Sequence, residues 1–259
     1  DAMLTNVAAD RNVAIGLGSL QSMTSATTVD TYNVAVGYAA GTAITTAVQN
    51  TLIGGLAGDA LTTGSYNVAL GYNALSAEDA NGRNVAIGYN SLTSQNAGAD
   101  AYNVAVGFKA GENVSTGAQN TILGGLAGDA LTTGNYNVAI GYQALSTEDA
   151  HGANVAIGAN ALLTLDAGAD GFNIAIGHDA GKLMTTGINN TVIGGLAGDA
   201  INTGSQNVAV GKASLSSATT ASDNVGLGHG ALSALTTSAR NVAIGTQALN
   251  GAMATNSNT

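Results

Sequence analysis

The sequence predicts an all-β fold, a parallel β-solenoid of about fourteen coils, on three observations. The pentapeptide Asn-Val-Ala-Ile-Gly, first met at Asn12 to Gly16, occurs in recognisable form fourteen times. Its copies stand 17 residues apart almost throughout, with two spacings of 19 and one of 21. Each copy sets aliphatic residues at i and i+2, the alternation of a short strand with one buried face.

With the motif asparagine as marker, the coils begin at Asn12, Asn33, Asn50, Asn67, Asn84, Asn103, Asn120, Asn137, Asn154, Asn173, Asn190, Asn207, Asn224 and Asn241. A longer period of 70 residues runs from Asn33 to Asn103 and from Asn103 to Asn173, and Gly-Leu-Ala-Gly-Asp-Ala recurs with it at Gly55, Gly125 and Gly195. At ~3.3 Å per residue, a 17-residue coil holds two short strands and two tight turns, whereas a helix, a strand and their loops do not fit. The second strand is expected around the Ala-Leu or Ser-Leu pairs ending at Leu20, Leu75, Leu92, Leu145, Leu162, Leu215, Leu232 and Leu249, replaced by Ala-Gly at Gly41 and Gly58. Turns are marked by Gly64, Gly134 and Asn81-Gly82. The expected organisation is the end of a preceding coil or a connection over residues 1–11, the solenoid over 12–248 and a polar exit segment over 249–259, with caps or further domains beyond both ends.

Residues aligned from coil to coil share an environment. The asparagines Asn33, Asn50, Asn67, Asn84, Asn103, Asn120, Asn137, Asn154, Asn173, Asn190, Asn207 and Asn224 are expected to stack as a buried amide ladder. The closing glycine suits a corner that needs positive φ or close backbone approach. If the flanking aliphatics fill the coil, alternation turns the residue between them outward. That column reads Ala35, Leu52, Ala69, Ala86, Ala105, Ile122, Ala139, Ala156, Ala175, Val192 and Ala209, with no polar member. A flat apolar ribbon predicts an interface between chains, here the contact of a homotrimer. Leu52, Ile122 and Val192 are then either periodic knobs between chains or coils in which the facing shifts by one residue.

Composition excludes several function classes. There are 37 Gly and no Pro, Cys or Trp, and a net charge of −10 from 16 acids against 6 bases disfavours nucleic acid and anionic membrane as partners. No apolar run approaches the ~18 residues of a membrane span, so membrane insertion is not expected. His151, His178 and His229 stand in no ligand spacing, and no nucleophile is paired with a base. Neither an enzyme nor a cofactor or metal protein is expected. Asp59, Asp129 and Asp199 read as solvated turn acids, and Glu78-Asp79 and Glu148-Asp149 as charged outer loops. Aromatic residues keep to two columns, one before the asparagine and one after the glycine. The latter, Tyr38, Tyr72, Tyr89, Phe108 and Tyr142, either covers corners of the roll or grooves between chains, or is the candidate surface for recognising a receptor or glycan.

The Asn-Val-Ala-Ile-Gly columns resemble the head repeats of trimeric autotransporter adhesins, the YadA-like heads, and similar repeats occur in bacteriophage tail fibres. The resemblance covers residues 12 to 248 and implies a left-handed β-roll with three chains side by side. This chain lacks the adhesin serine between Asn and Val and has longer coils. Its 70-residue super-repeats look more like a phage fibre. The expected function is a structural and adhesive segment of a trimeric fibre on a virion or an extracellular surface, with the head of a bacterial adhesin as the alternative. An ice-binding solenoid would need a regular Thr-x-Thr ladder, which Thr62-Thr63 and Thr132-Thr133 do not form. A β-solenoid enzyme acting on polysaccharide would need clustered carboxylates in a groove.

Overall fold

The computed structural model describes residues 1–3, 11–24 and 30–251. The broken motif copy at residues 6–8 and most of the exit segment, 252–259, lie outside the described residues. The chain divides into two compact units, Asp1–Gly134 and Asn135–Thr259. Each is a parallel β-solenoid, and the two together make about thirteen turns.

Every coil contributes one three-residue strand. In the first unit these are β1 (Val13–Ile15), β2 (Val34–Val36), β3 (Thr51–Ile53), β4 (Val68–Leu70), β5 (Val85–Ile87), β6 (Val104–Val106) and β7 (Thr121–Leu123). The second unit holds β8 (Val138–Ile140), β9 (Val155–Ile157), β10 (Ile174–Ile176), β11 (Thr191–Ile193), β12 (Val208–Val210), β13 (Val225–Leu227) and β14 (Val242–Ile244). Within each unit, successive strands pair in parallel and in strict register: Val34, Ala35 and Val36 lie beside Thr51, Leu52 and Ile53, and Ile174 lies beside Thr191. Repeat length fixes this register, because a 17-residue period returns the same residue to the same corner. The ladder reaches both ways along the stack: the Val34 amide donates to Asn50 O at 2.8 Å and the Gly37 amide to Ile15 O at 2.8 Å.

The strands face the opposite way from the sequence expectation. Ala35, Leu52, Ala69, Ala86, Ala105 and Ile122 are fully buried in the first unit, as are Ala139, Ala156, Ala175, Val192 and Ala209 in the second. The flanking Val, Ile, Leu and Thr residues are half-buried or exposed. The expected outward column is therefore the coil core, and it offers no surface to a second chain. The physical reason is the narrowness of the coil. The strand's inner residue meets the Leu column across the interior, so the pair must share a small volume and Ala opposite Leu fills it. Where the strand carries Leu52, the opposite positions are Gly41 and Gly58, and Cβ atoms built there would press on the Leu52 methyls. Leu52, Ile122 and Val192 are thus knobs inside the coil, and their strands keep register with their neighbours.

The expected second strand is replaced by turns. Leu20, Leu75, Leu92, Leu145, Leu162, Leu215, Leu232 and Leu249 all have φ between 47° and 56°. Their amides still reach along the stack, as Leu75 N does to Ser91 O at 3.0 Å. The closing glycine has a stricter need. Gly37 has φ 143°, and a Cβ there would overlap the Gly54 carbonyl of the next coil, so only glycine fits.

Candidate functional site

The buried asparagines form the spine that positions everything outside. Asn50 N donates to Asn33 Oδ1 at 3.0 Å, and Asn50 Nδ2 donates to Gly64 O at 2.9 Å and to Asn33 Oδ1 at 3.2 Å. The second unit repeats the pattern: Asn207 N donates to Asn190 Oδ1 at 3.0 Å and Asn207 Nδ2 to Ala221 O at 2.8 Å. Most of the carboxamides tie their strand to the coil before and to a turn 14 residues on, satisfying groups that burial would otherwise penalise, whereas Asn154 Nδ2 donates to Gly152 O at 3.1 Å. Asn84 departs from this, since its Nδ2 is buried without a partner.

With asparagine and the middle residue facing in, the first and third strand residues face out. In the first unit the outward columns are Val34, Thr51, Val68, Val85, Val104 and Thr121, then Val36, Ile53, Leu70, Ile87, Val106 and Leu123. Stacked at strand spacing, these side chains shade one another from the side, and what remains exposed is a flat sheet of methyl groups. Ile53, Leu70, Leu123 and Ile174 still leave more than a third of their surface open.

The two aromatic columns border this face. Tyr38, Tyr72, Tyr89, Phe108 and Tyr142 are 46 to 62% exposed. Tyr72 stacks on Tyr89 with centroids 5.7 Å apart, and Tyr89 on Phe108 at 5.5 Å. On the other border the Arg83 guanidinium sits between the Tyr66 and Tyr102 rings, 5.3 and 5.6 Å from their centroids, and pairs with Asp100. Three successive coils of the first unit thus carry an aliphatic face framed by a Tyr72–Tyr89–Phe108 stack and a Tyr66–Arg83–Tyr102 stack. Tyr38 stands apart from the rings and lines a depression of about 470 Å³ with Gln21, Thr42, Leu56 and Asp59.

The acids depart from their expected exposure. Glu78 and Glu148 are fully buried, not outer-loop residues. Both occupy the inward column that Leu61 and Leu165 hold in neighbouring coils, and period-17 alignment of the sequence exposes that position. Burial raises the Glu78 pKa above the usual carboxylate value, with Asp79 adding repulsion, while the Asn81 amide opposes the shift. Burial likewise raises Asp59, Asp129 and Asp199, and one oxygen of each is buried without a hydrogen-bond partner. At Asp179 burial is outweighed by the Asn160 amide, Lys182 and His178, and the carboxyl is held below its ordinary value. The fold also gathers Glu148, Asp149, His151 and Asp166, whose donor atoms lie within 4.8 Å of one another. Sequence spacing conceals this group, because Asp166 arrives from the following coil.

Among the described residues, no helix is long and apolar enough to cross a membrane. Comparison with family models, curated proteins and solved structures returned no match to this chain.

Proposed function

We propose that this chain is a structural segment of a homotrimeric fibre, with three copies packed side by side through the outward Val and Ile columns. The observation that carries the proposal is the flat aliphatic face, which no described residue covers. A regular face on one copy meets an equally regular face on another, since both repeat at the same ~4.8 Å spacing. Seven strands span ~29 Å at that spacing, and a face ~15–20 Å wide offers roughly 500 Å² per unit. Each unit alone thus offers more than half of the ~800 Å² per partner of a standard stable interface.

The number three and a left-handed course of the coil come from the resemblance to trimeric adhesin heads. In this reading the fibre belongs to a bacteriophage tail or comparable virion appendage used in host attachment. Continuous backbone pairing makes each unit a stiff spacer, and the acidic, membrane-averse composition suits an extracellular position. The role is mechanical, with no reaction and no nucleic-acid partner. The aromatic frame over Tyr66 to Phe108 favours one second reading, an adhesin head whose flank grips a host protein or glycan.

Sedimentation equilibrium of the isolated chain tests the assembly. A mass three times the 25.1 kDa of one chain is expected, and a stable monomer at micromolar concentration would overturn the proposal. Binding of the trimer to host cells, lost when the Tyr72–Tyr89–Phe108 stack is replaced by serines, would select the second reading.

A further inference from the structure

The inward column three residues after the Leu or Gly position is apolar in the second unit at Leu165, Met184, Ile201, Ala218 and Leu235, and Glu148 breaks it while fully buried. A carboxylate in such a column needs compensation. Glu148 Oε1 accepts from the His151 amide at 3.2 Å and lies 3.2 Å from His151 Nδ1, and Oε2 accepts from the Ala167 amide at 3.2 Å. Asp149 and Asp166 bring two more carboxylates to the same place. Three acids face one imidazole, and no Lys or Arg occurs between Asn137 and Phe172.

The preceding super-repeat supplies an internal comparison. It keeps Glu78 and Asp79 but has Asn81 where the second unit has His151, Asn96 where it has Asp166, and Arg83 where it has Ala153. There Glu78 is buried with Oε2 lacking a hydrogen-bond partner, and burial pushes its pKa up. The second unit instead carries two metal-binding groups where the first super-repeat has two amides, and brings them together from successive coils.

We propose that Glu148, Asp149, His151 and Asp166 bind one divalent transition cation of the zinc class. One imidazole nitrogen and three carboxylate oxygens form a borderline-hard donor set of the kind that Zn²⁺ and Mn²⁺ accept. Bonds of ~2.0–2.2 Å place the donors of a tetrahedral ion ~3.5 Å apart, and the four donor atoms already lie within 4.8 Å of one another, with Asp149 and Asp166 on the exposed side. The ion clamps two successive coils, because Asp166 belongs to the coil after the other three ligands. It also neutralises a charge buried in the core.

The proposal stands apart from the fibre reading and is tested separately. Titration calorimetry of the full chain with ZnCl₂ is expected to show one equivalent bound and a rise in Tm, and Zn²⁺ should shift the imidazole NMR signals of His151 but not those of His178 or His229. The double variant His151→Asn with Asp166→Asn restores residues that the chain itself carries at Asn81 and Asn96. It should keep the metal-free Tm and circular dichroism and lose at least ~10-fold in Zn²⁺ affinity. Absence of stoichiometric binding by the unmodified chain, unmoved His151 signals, or equal affinity in the double variant would overturn the site.

Discussion

Leu52 fills the space left by Gly41 and Gly58: a Cβ on Gly41 would stand 2.7 Å from Leu52 Cδ1, and one on Gly58 would stand 2.9 Å from Leu52 Cδ2. The six-residue step from strand to turn thus carries a size exchange, large in and small opposite. Leu52→Ala should cost ~2–5 kcal/mol by emptying this space. Adding Gly58→Leu should recover more than half of the loss. Leu75, in the same column, holds φ 54° against 55° at Gly58, so the backbone accepts the larger residue. Urea unfolding of the single and double variants measures both effects, and equal midpoints for the two would contradict the exchange.

How far this packing was legible follows from Asn33 and Ala35. They stand two apart in an extended segment, so they share a face. A buried amide ladder therefore demands a buried alanine, and the pentapeptide contains that inference. Weighing bulk instead, with Val and Ile sent inside for their size, inverted the strand. The size argument fails because the coil is too narrow to seat two large side chains across from each other. Register and period were legible because spacing alone sets them. Glu78 and Glu148 were hidden because a charged residue in a turn sequence reads as solvated until its column is aligned. The Glu148–Asp166 cluster depended on contact between coils, which no local spacing encodes.

The ladder itself predicts a cost for breaking one rung. Asn50 Oδ1 accepts from the Asn67 amide at 2.9 Å while its Nδ2 serves Gly64 O and Asn33 Oδ1. Asn50→Ala strands a buried donor and a buried acceptor at once, each worth ~1–3 kcal/mol. A loss of ~2–5 kcal/mol is expected, with hydrogen exchange of the Asn67 amide accelerated. Retained protection of that amide would show that another group replaces the carboxamide.

The buried acids set a pH dependence of definite sign. Burial raises Glu78 above 4.5 in the folded chain and Asp59, Asp129 and Asp199 above 3.8. A group protonated more readily when folded contributes its full stability below the unfolded value and loses it as pH rises through the folded value. Stability should therefore fall as pH rises above the unfolded carboxylate values, 3.8 for Asp and 4.5 for Glu. Glu78→Gln stays neutral throughout, so it should flatten that fall and be more stable than the parent at pH 7. Identical pH slopes for parent and variant in urea unfolding would refute the assignment to Glu78.

The outward face makes the last prediction, and it separates assembly from folding. Val85 and Ile87 lie in the middle of the framed face, on either side of the buried Ala86. Lysine at both positions keeps the inward residue and the strand ladder, and its long aliphatic stem covers the neighbouring methyls while the charge stays in water. The fold should survive at a cost of ~1 kcal/mol or less from β-propensity. Two charges per chain brought into a shared seam have no acid across from them in columns otherwise made of Val, Ile, Leu and Thr. Their desolvation opposes association by several kcal/mol, so Val85→Lys with Ile87→Lys should sediment as a folded monomer. A variant that unfolds would mean the face is needed within the chain. A variant that assembles like the parent would move the seam away from the Val and Ile columns.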